Sequence, residues 1–187
     1  MRDRGILFTP ENCRLVESGV KTQTRRVVKP QPSVIDGLLV HHVSGSKWET
    51  GFPYICPYGQ VGDRLYVKEG VIVHTSIPQL CGYYRDGARD TEPWEKRLTA
   101  MFMPKWAART WLKITDVRVQ RLQEISEDDA KAEGATPIYP EFMYPDEPLS
   151  EYHYRRGFKK LWDSINGKKY SWTENCWVWA ISFKRIQ

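Results

Sequence analysis

The sequence predicts an α+β domain, dominated by strands, decorated by short helices and interrupted by loop insertions, on three observations. Residues 111–119 and 177–183 carry the β-branched and aromatic runs expected of strands. The helix signals at residues 10–18 and 126–133 are short, and a glycine follows each. Stretches near 33–55, 75–98 and 135–150 are polar or rich in Gly, Ser and Pro, as insertions are. At 187 residues the chain suits a single domain over 1–187 that carries those insertions.

The elements follow in order. Gly5-Ile6-Leu7-Phe8 reads as a first strand. Thr9 caps a helix that opens on Pro10 and runs to about Ser18, where Gly19 stops it. Residues 20–28 are extended, and Lys29-Pro30-Gln31-Pro32 closes them. Residues 33–60 are loop-rich, with Trp48 and two short strand candidates, one at Leu38-Leu39-Val40. Gly62-Asp63 is a turn that feeds a strand with Leu65 and Val67 on one face. A loop or inserted hairpin surrounds Gly82-Tyr83-Tyr84. Ser126 and Asp129 form a capping box for an acidic helix that ends at Gly134. A further helix over about 152–165 presents Phe158, Leu161, Trp162 and Ile165 as a core stripe. The terminal strand, 177–183, has alternating faces.

Composition narrows the function. No apolar run approaches the roughly 18 residues of a membrane span, and Ile6-Leu7-Phe8 is too short for a secretory segment. Cys13, Cys56, Cys81 and Cys176 are scattered without close pairs, so reduced thiols in a cytoplasmic protein are expected, and neither a metal nor a cofactor. His41, His42 and His153 lack partners in sequence and are expected to face solvent. The net charge is +5 with a pI near 9.0. Residues 1–31 hold seven Lys/Arg against three Asp/Glu, residues 151–187 eight against three, and in 124–147 Lys131 is the single cation. This balance favours an anionic partner such as a nucleotide or nucleic acid. The eight tryptophans serve either base stacking or core packing.

The segment Gly19-Val20-Lys21-Thr22-Gln23-Thr24-Arg25-Arg26 concentrates chemistry. Lys21 can exchange a proton if desolvation lowers its pKa, and Thr24 supplies a hydroxyl. Arg25 and Arg26 offer planar forks for phosphate or carboxylate. The bland alternative is an edge strand with solvated cations. In a regular strand Thr22 and Thr24 share a face and Lys21 points to the other, so a Lys21–Thr24 pair needs an irregularity between them.

Four features coincide: this Lys-Thr-x-Thr-x-Arg stretch after the first helix, Gly62-Asp63-x-Leu65 opening a strand, Ile125-Ser126-Glu127 opening an acidic helix, and the closing aromatic-aliphatic strand. In that order the chain resembles the ASCH family, whose fold is a PUA-like β-barrel. The run Lys21 to Pro30, with Leu161-Trp162-Asp163-Ser164-Ile165-Asn166, is similar to the longer phage and prophage ASCH-like proteins. The resemblance implies a PUA-like barrel with short flanking helices and, for the small bacterial members, removal of the acetyl group of N4-acetylcytidine. Their threonine nucleophile, lysine base and glutamate correspond to Thr24, Lys21 and Glu133. Without the resemblance, Glu133 near its helix end reads as a solvated acid.

A threonine nucleophile needs a base within reach and an oxyanion stabiliser. Arg25 and Arg26 push the Lys21 pKa down and Glu133 pushes it up, and these effects oppose. The three residues are expected to be placed for chemistry rather than packing. Arg25, Arg26, Arg64, Lys68, Glu69, Trp106 and Arg109 are the candidate substrate- or nucleic-acid-binding residues. Lys68 and Glu69 either line a barrel mouth or face water, and Trp106 with Arg109 either clamps a base or packs. The leading expectation is a protein acting on a modified nucleoside or nucleic acid, RNA rather than DNA, with hydrolysis of an N4-acylcytidine amide as its most concrete chemistry, in the host cytoplasm if phage-encoded. A non-catalytic RNA- or DNA-binding module and a phage accessory protein that binds a host protein are the alternatives.

Overall fold

The computed structural model describes residues 1–35, 38–44, 47–50, 55–77, 80–88, 92, 94–139 and 153–186. In chain order the elements are β1 (Asp3–Leu7), α1 (Pro10–Glu17), β2 (Gln23–Val27), β3 (Ser33–Ile35), β4 (Leu38–Ser44), β5 (Lys47–Thr50), β6 (Arg64–Lys68), β7 (Val71–His74), β8 (Cys81–Tyr83), β9 (Glu95–Leu98), β10 (Trp111–Arg121), α2 (Glu127–Ala132), α3 (His153–Asn166) and β11 (Trp177–Arg185). The α+β class is as the sequence predicts. The five strands read most directly from sequence share one sheet, in the order β1-β6-β10-β11-β2.

The chain divides into two compact units, each assembled from separate stretches. The first comprises Met1–Gly19, Pro57–Thr115 and Phe183–Gln187. In it β1 runs parallel to β6, with Asp3 opposite Arg64 and Leu7 opposite Lys68, and residues 111–113 of β10 lie antiparallel on β6. Leu65 and Val67 are buried on one face, as their alternation requires. Asp63 acts in the turn: its carboxylate accepts the Arg2 and Gln60 amides at 2.7 and 3.2 Å. Thr9 Oγ1 accepts the Asn12 amide at 3.3 Å to open α1, and Gly19 follows the helix at φ +77°. The polar stretch after residue 75 is a hairpin and more, because β8 and β9 both pair antiparallel with β7 between them. Val71, Met103 and Ala107 form the small core beneath.

The second unit comprises Val20–Cys56 and Asp116–Ser182. Here β2 pairs antiparallel with β11, Thr24 opposite Ile181 and Arg25 opposite Ala180. β3, β4 and β5 form a three-stranded antiparallel sheet where the sequence offers two strand candidates. Trp48, His41 and His42 have side chains outside the described residues, and most of 135–150 lies outside them too. The core joins Leu122, Ile125, Ala130, Phe158, Trp162 and Val178.

Four expectations change. On α3, Phe158 and Trp162 are buried but Ile165 is 54% exposed and Leu161 half-buried, so the buried stripe is His153, Gly157, Phe158 and Trp162. Its i, i+4 spacing needs no contribution from Leu161 or Ile165. His153 is buried, its ring 4.7 Å from that of Tyr139. β11 buries Val178, Trp179, Ala180 and Ile181 in succession, because both of its faces are covered there. The capping box at α2 is half formed: Ser126 Oγ accepts the Asp129 amide at 3.0 Å, while the Asp129 carboxylate turns to Gln23 and Arg25.

Gly157 gives a sharp test of packing. A Cβ there would lie 1.8 Å from the Thr136 carbonyl oxygen, a backbone atom. Alanine gains about 1 kcal/mol of helix propensity over glycine, yet such a clash costs the upper end of about 1–3 kcal/mol or more. Gly157→Ala should therefore lower the melting temperature by several degrees, at about 2–4 °C per kcal/mol for a chain of this size. Ile165→Ala, at an exposed position, should leave the melt followed by circular dichroism within about 0.5 kcal/mol of wild type.

Candidate functional site

The second unit draws the odd-numbered residues of the basic segment onto α2. Lys21 lies ahead of β2, in an irregular stretch over residues 20–22. Within β2, Gln23 and Arg25 share one face by alternation, and Thr24 and Arg26 the other. Lys21 Nζ donates to Glu133 Oε2 at 2.6 Å and to the Glu133 carbonyl at 2.7 Å. Arg25 donates from Nη1 to Glu133 Oε1 at 3.2 Å and from Nη2 to Asp129 Oδ2 at 2.7 Å. Gln23 bridges the group, donating to Asp129 Oδ1 and Ser182 Oγ while accepting from Arg25 Nη1 at 2.5 Å. Arg118 reaches both Asp129 oxygens from the solvent side at 3.2 Å.

These contacts also finish the helix. Gly134, at φ +79°, lets its amide reach the Lys131 carbonyl and that of Ala135 reach Ala130, a Schellman closure. Two carbonyls of the last turn remain beyond that closure. The Thr22 amide takes Ala132 at 2.8 Å, and Lys21 Nζ takes Glu133. A cation at the C-terminal end of the helix is also where its dipole favours one.

Burial sets the protonation chemistry. Lys21, Thr24, Arg25 and Glu133 are each no more than 5% exposed. Loss of water pushes the Lys21 ammonium below its ordinary pKa; Glu133 opposes this, and Arg26 and Arg25 add to it. Burial works to raise the Asp129 carboxyl, but Gln23, Arg25 and Arg118 hold it below the usual value. Thr24 is buried on the other face of the strand. The expectation that Lys21, Thr24 and Glu133 serve chemistry without packing changes on this point, since all three lie in the interior.

The remaining candidates lie in the first unit. Arg64 forks onto Asp3 at 2.8 and 3.0 Å and lies 5.1 Å from the Trp111 ring. Lys68 Nζ donates to the Met101 carbonyl. Glu69 is buried and accepts from Arg85 Nε at 2.8 Å and from Arg109 at 3.1 and 3.0 Å. Arg109 also binds Asp86 and stacks 3.9 Å from the Tyr83 ring. Arg85 donates to both Glu17 oxygens. Trp106, 48% exposed, lines an open groove with Lys105, Ala108 and Trp111. Arg109 is thus spent on carboxylates and a tyrosine, and forms no clamp with Trp106 among the described contacts.

Sequence reasoning missed Gln23 and Asp129 here, and Glu17, Arg85 and Asp86 in the first unit. Two signals were available. Asp129 and Glu133 stand four apart on one helix and so share a face, and Lys21, Gln23 and Arg25 recur with period two.

The fold is similar to that of an ASCH domain from Lactobacillus crispatus JV V101, at 12% identity and a TM-score of 0.45, covering 98% of this chain and 79% of that one. It is also similar to a DUF984 protein from Enterococcus faecalis V583, at 12% identity and a TM-score of 0.44, covering 100% of this chain and 80% of that one. No protein-family model and no curated protein matches the chain.

The site predicts an order of stabilities. Glu133→Ala deprives the buried Lys21 ammonium of its paired carboxylate and takes one of two from Arg25, so it should cost about 3–5 kcal/mol in chemical denaturation. Lys21→Met should cost less, because Glu133 keeps Arg25. Lys21 has a lowered folded pKa, so between that value and its unfolded value of about 10.4 the unfolded chain binds more protons. Stability should therefore rise with pH through that window, and the rise should be absent in Lys21→Met.

Proposed function

We propose that this chain is an ASCH-type protein with a PUA-like barrel that hydrolyses the exocyclic amide of an N4-acylated cytidine. The observation that carries this reading is the buried Lys21–Glu133 pair, 2.6 Å apart, set on the Lys21-Thr22-Gln23-Thr24 motif. Desolvation lowers the Lys21 pKa, the direction that a lysine acting as a base requires. Lys21 lies in the irregular stretch ahead of β2 and Thr24 on the strand face turned from Glu133, so this reading requires the Lys21 amine to turn across to Thr24 Oγ1. It then takes the hydroxyl proton as Oγ1 attacks the acyl carbon, with Arg26 facing the developing oxyanion. The proton passes from Lys21 to Glu133 and then to the leaving N4 as the carbon–nitrogen bond breaks. Cytidine departs and an acyl ester remains on Thr24. Water, deprotonated along the same path, releases the carboxylic acid and restores the hydroxyl. Arg25 holds the Glu133 carboxylate in place, and its own terminal nitrogens are committed to that task and to Asp129. The phage-type resemblance fits action on the nucleosides or RNA of a bacterial host, in its cytoplasm.

Purified protein should release acetate from N4-acetylcytidine. Thr24→Ala should abolish turnover, and Lys21→Met should lower kcat by about 10²–10⁴-fold. The rate should rise with pH to a plateau, with a midpoint below the ordinary lysine value of about 10.4. A fully active Thr24→Ala, or no turnover on any acylated nucleoside, refutes the reading.

A second reading rests on a different observation, the exposed Trp106 beside Lys105 and Trp111 in the open groove. An exposed indole beside a lysine, here one that also pairs with Asp3, suits stacking on single-stranded nucleic acid. On that reading Trp106→Ala weakens RNA binding, Lys105→Ala lowers the log–log salt slope by about 0.7, and Thr24→Ala does nothing to either.

A further inference from the structure

The first unit contains a cavity of about 260 Å³ lined by Phe8, Pro10, Cys13, Glu69, Gly70, Tyr84, Arg85, Thr99 and Ala100. None of the residues proposed for amide hydrolysis lines it. Its volume lies just under the roughly 300–1,000 Å³ of small-molecule pockets, which suits one ring system and is small for a whole nucleotide. Phe8, Pro10, Ala100 and the Tyr84 ring give it apolar walls, and the Tyr84 ring packs directly over Gly70, where a Cβ would meet it at 2.7 Å.

The polar end is specific. Glu69 is 5% exposed, and its two oxygens differ in how far they are satisfied. Oε2 accepts from Arg85 Nε and Arg109 Nη2, at 2.8 and 3.0 Å. Among the described residues Oε1 accepts from Arg109 Nε alone, at 3.1 Å. A carboxylate oxygen takes two donors, so Oε1 keeps a place for a second N–H. Charge selects further. Glu69 is already matched by two guanidiniums, and Arg85 is matched by Glu69 and Glu17. A ligand anion would meet those carboxylates and a ligand cation would meet Arg85, so the cavity favours a neutral molecule. The Cys13 thiol is pushed up to about 12 by burial and by Glu69, so the wall it forms is uncharged as well.

We propose that this cavity binds one neutral planar N-heterocycle of nucleobase size, donating a ring N–H or amino group to Glu69 Oε1 and packing against Phe8 and the Tyr84 ring, which also meets Gly70 and the Arg97 guanidinium, 4.7 Å from its centroid. The inference goes beyond the proposed hydrolysis and stands or falls separately from it. Aromatic walls with a buried carboxylate oxygen between them recognise a flat ring by a donor edge.

The test titrates the full-length protein with uracil and cytosine, and with 1,3-dimethyluracil, which keeps the ring but lacks its N–H donors. Saturation-transfer NMR and calorimetry report binding. Uracil and cytosine should bind, and dimethyluracil should bind about tenfold or more weakly. Ala100→Phe, which fills the cavity, should abolish binding while leaving acetylcytidine turnover intact, and Lys21→Met should leave base binding unchanged. Thr99→Trp serves as a second filling variant if Ala100→Phe fails to fold. Absence of binding at millimolar base, equal binding of dimethyluracil, or binding that survives a folded filling variant would overturn the proposal. Loss of base binding in Lys21→Met with an unaffected Ala100→Phe would assign the bases to the Lys21 site instead and would equally overturn it.

Discussion

One carboxylate, Glu133, receives two cations where water scarcely reaches, and the second unit is organised about it. Lys21 and Arg25 approach its two oxygens separately, at 2.6 and 3.2 Å. Removing three charges from water costs several kcal/mol per ion, and their mutual attraction returns it only when geometry and extra hydrogen bonds are good. Here the extra bonds exist. The Glu133 carbonyl takes a second Lys21 hydrogen bond, Asp129 takes the other Arg25 nitrogen, and Gln23 ties Asp129 to Ser182. The net stabilisation of such a network is small beside that of the apolar core, but its one-sided failure is expensive. It therefore specifies register: a one-residue slip of β2 would turn Gln23 and Arg25 away from α2 and bury Thr24 against two acids.

The first unit repeats the device with different residues. Glu69 is gripped by Arg85 and Arg109, and those guanidiniums reach outward to Glu17 on α1 and to Asp86 beyond β8. Short strands need such anchoring. β8 has three residues and β9 four, too few to hold the insertion by ladder bonds alone. The network ties the far end of that insertion to the helix that follows β1. Arg109 is 30% exposed and Asp86 53%, so its outer pair is screened and contributes less than the buried Glu69–Arg85 contact.

Sequence legibility follows from which forces are local. Caps and stops at Thr9, Gly19, Ser126 and Gly134 are local, and the structure has each where the sequence puts it. The strands with strong β patterns were legible for the same reason. Three things were not. Burial of Ile165 depends on what covers one face of α3, which periodicity cannot see, and that residue stays 54% exposed. His153 has no sequence partner but meets the ring of Tyr139, fourteen residues earlier in the chain. The Asp129 side chain had a local use in a capping box and a distant use with Arg25, and the contact with Arg25 won because both partners there carry full charges in a largely buried setting. At the candidate site, the approach of Lys21 to Glu133, 112 residues away, was anticipated only through the family motif. The supporting pair of Gln23 and Asp129 was not, because the period-two and i, i+4 patterns place each on a face without naming its partner.

Lys21 does two jobs, and its tetrahedral nitrogen makes them compatible. An ammonium has three N–H bonds, and two of them are directed at Glu133, to the carboxylate and to the carbonyl that ends α2. A neutral amine keeps two N–H bonds, so losing one proton need not break either contact. The third direction carries an N–H in the charged form and can carry a lone pair in the neutral form, and a proton handed to Glu133 leaves that contact in place with donor and acceptor exchanged. Proton exchange at Lys21 can then proceed without releasing the helix end that the same residue holds. Arginine at this position would keep the charge and the helix contact, but it would never offer the lone pair, because a guanidinium stays protonated at any pH a protein survives. A positively charged residue suffices for the structural job, whereas the chemical job needs a lysine.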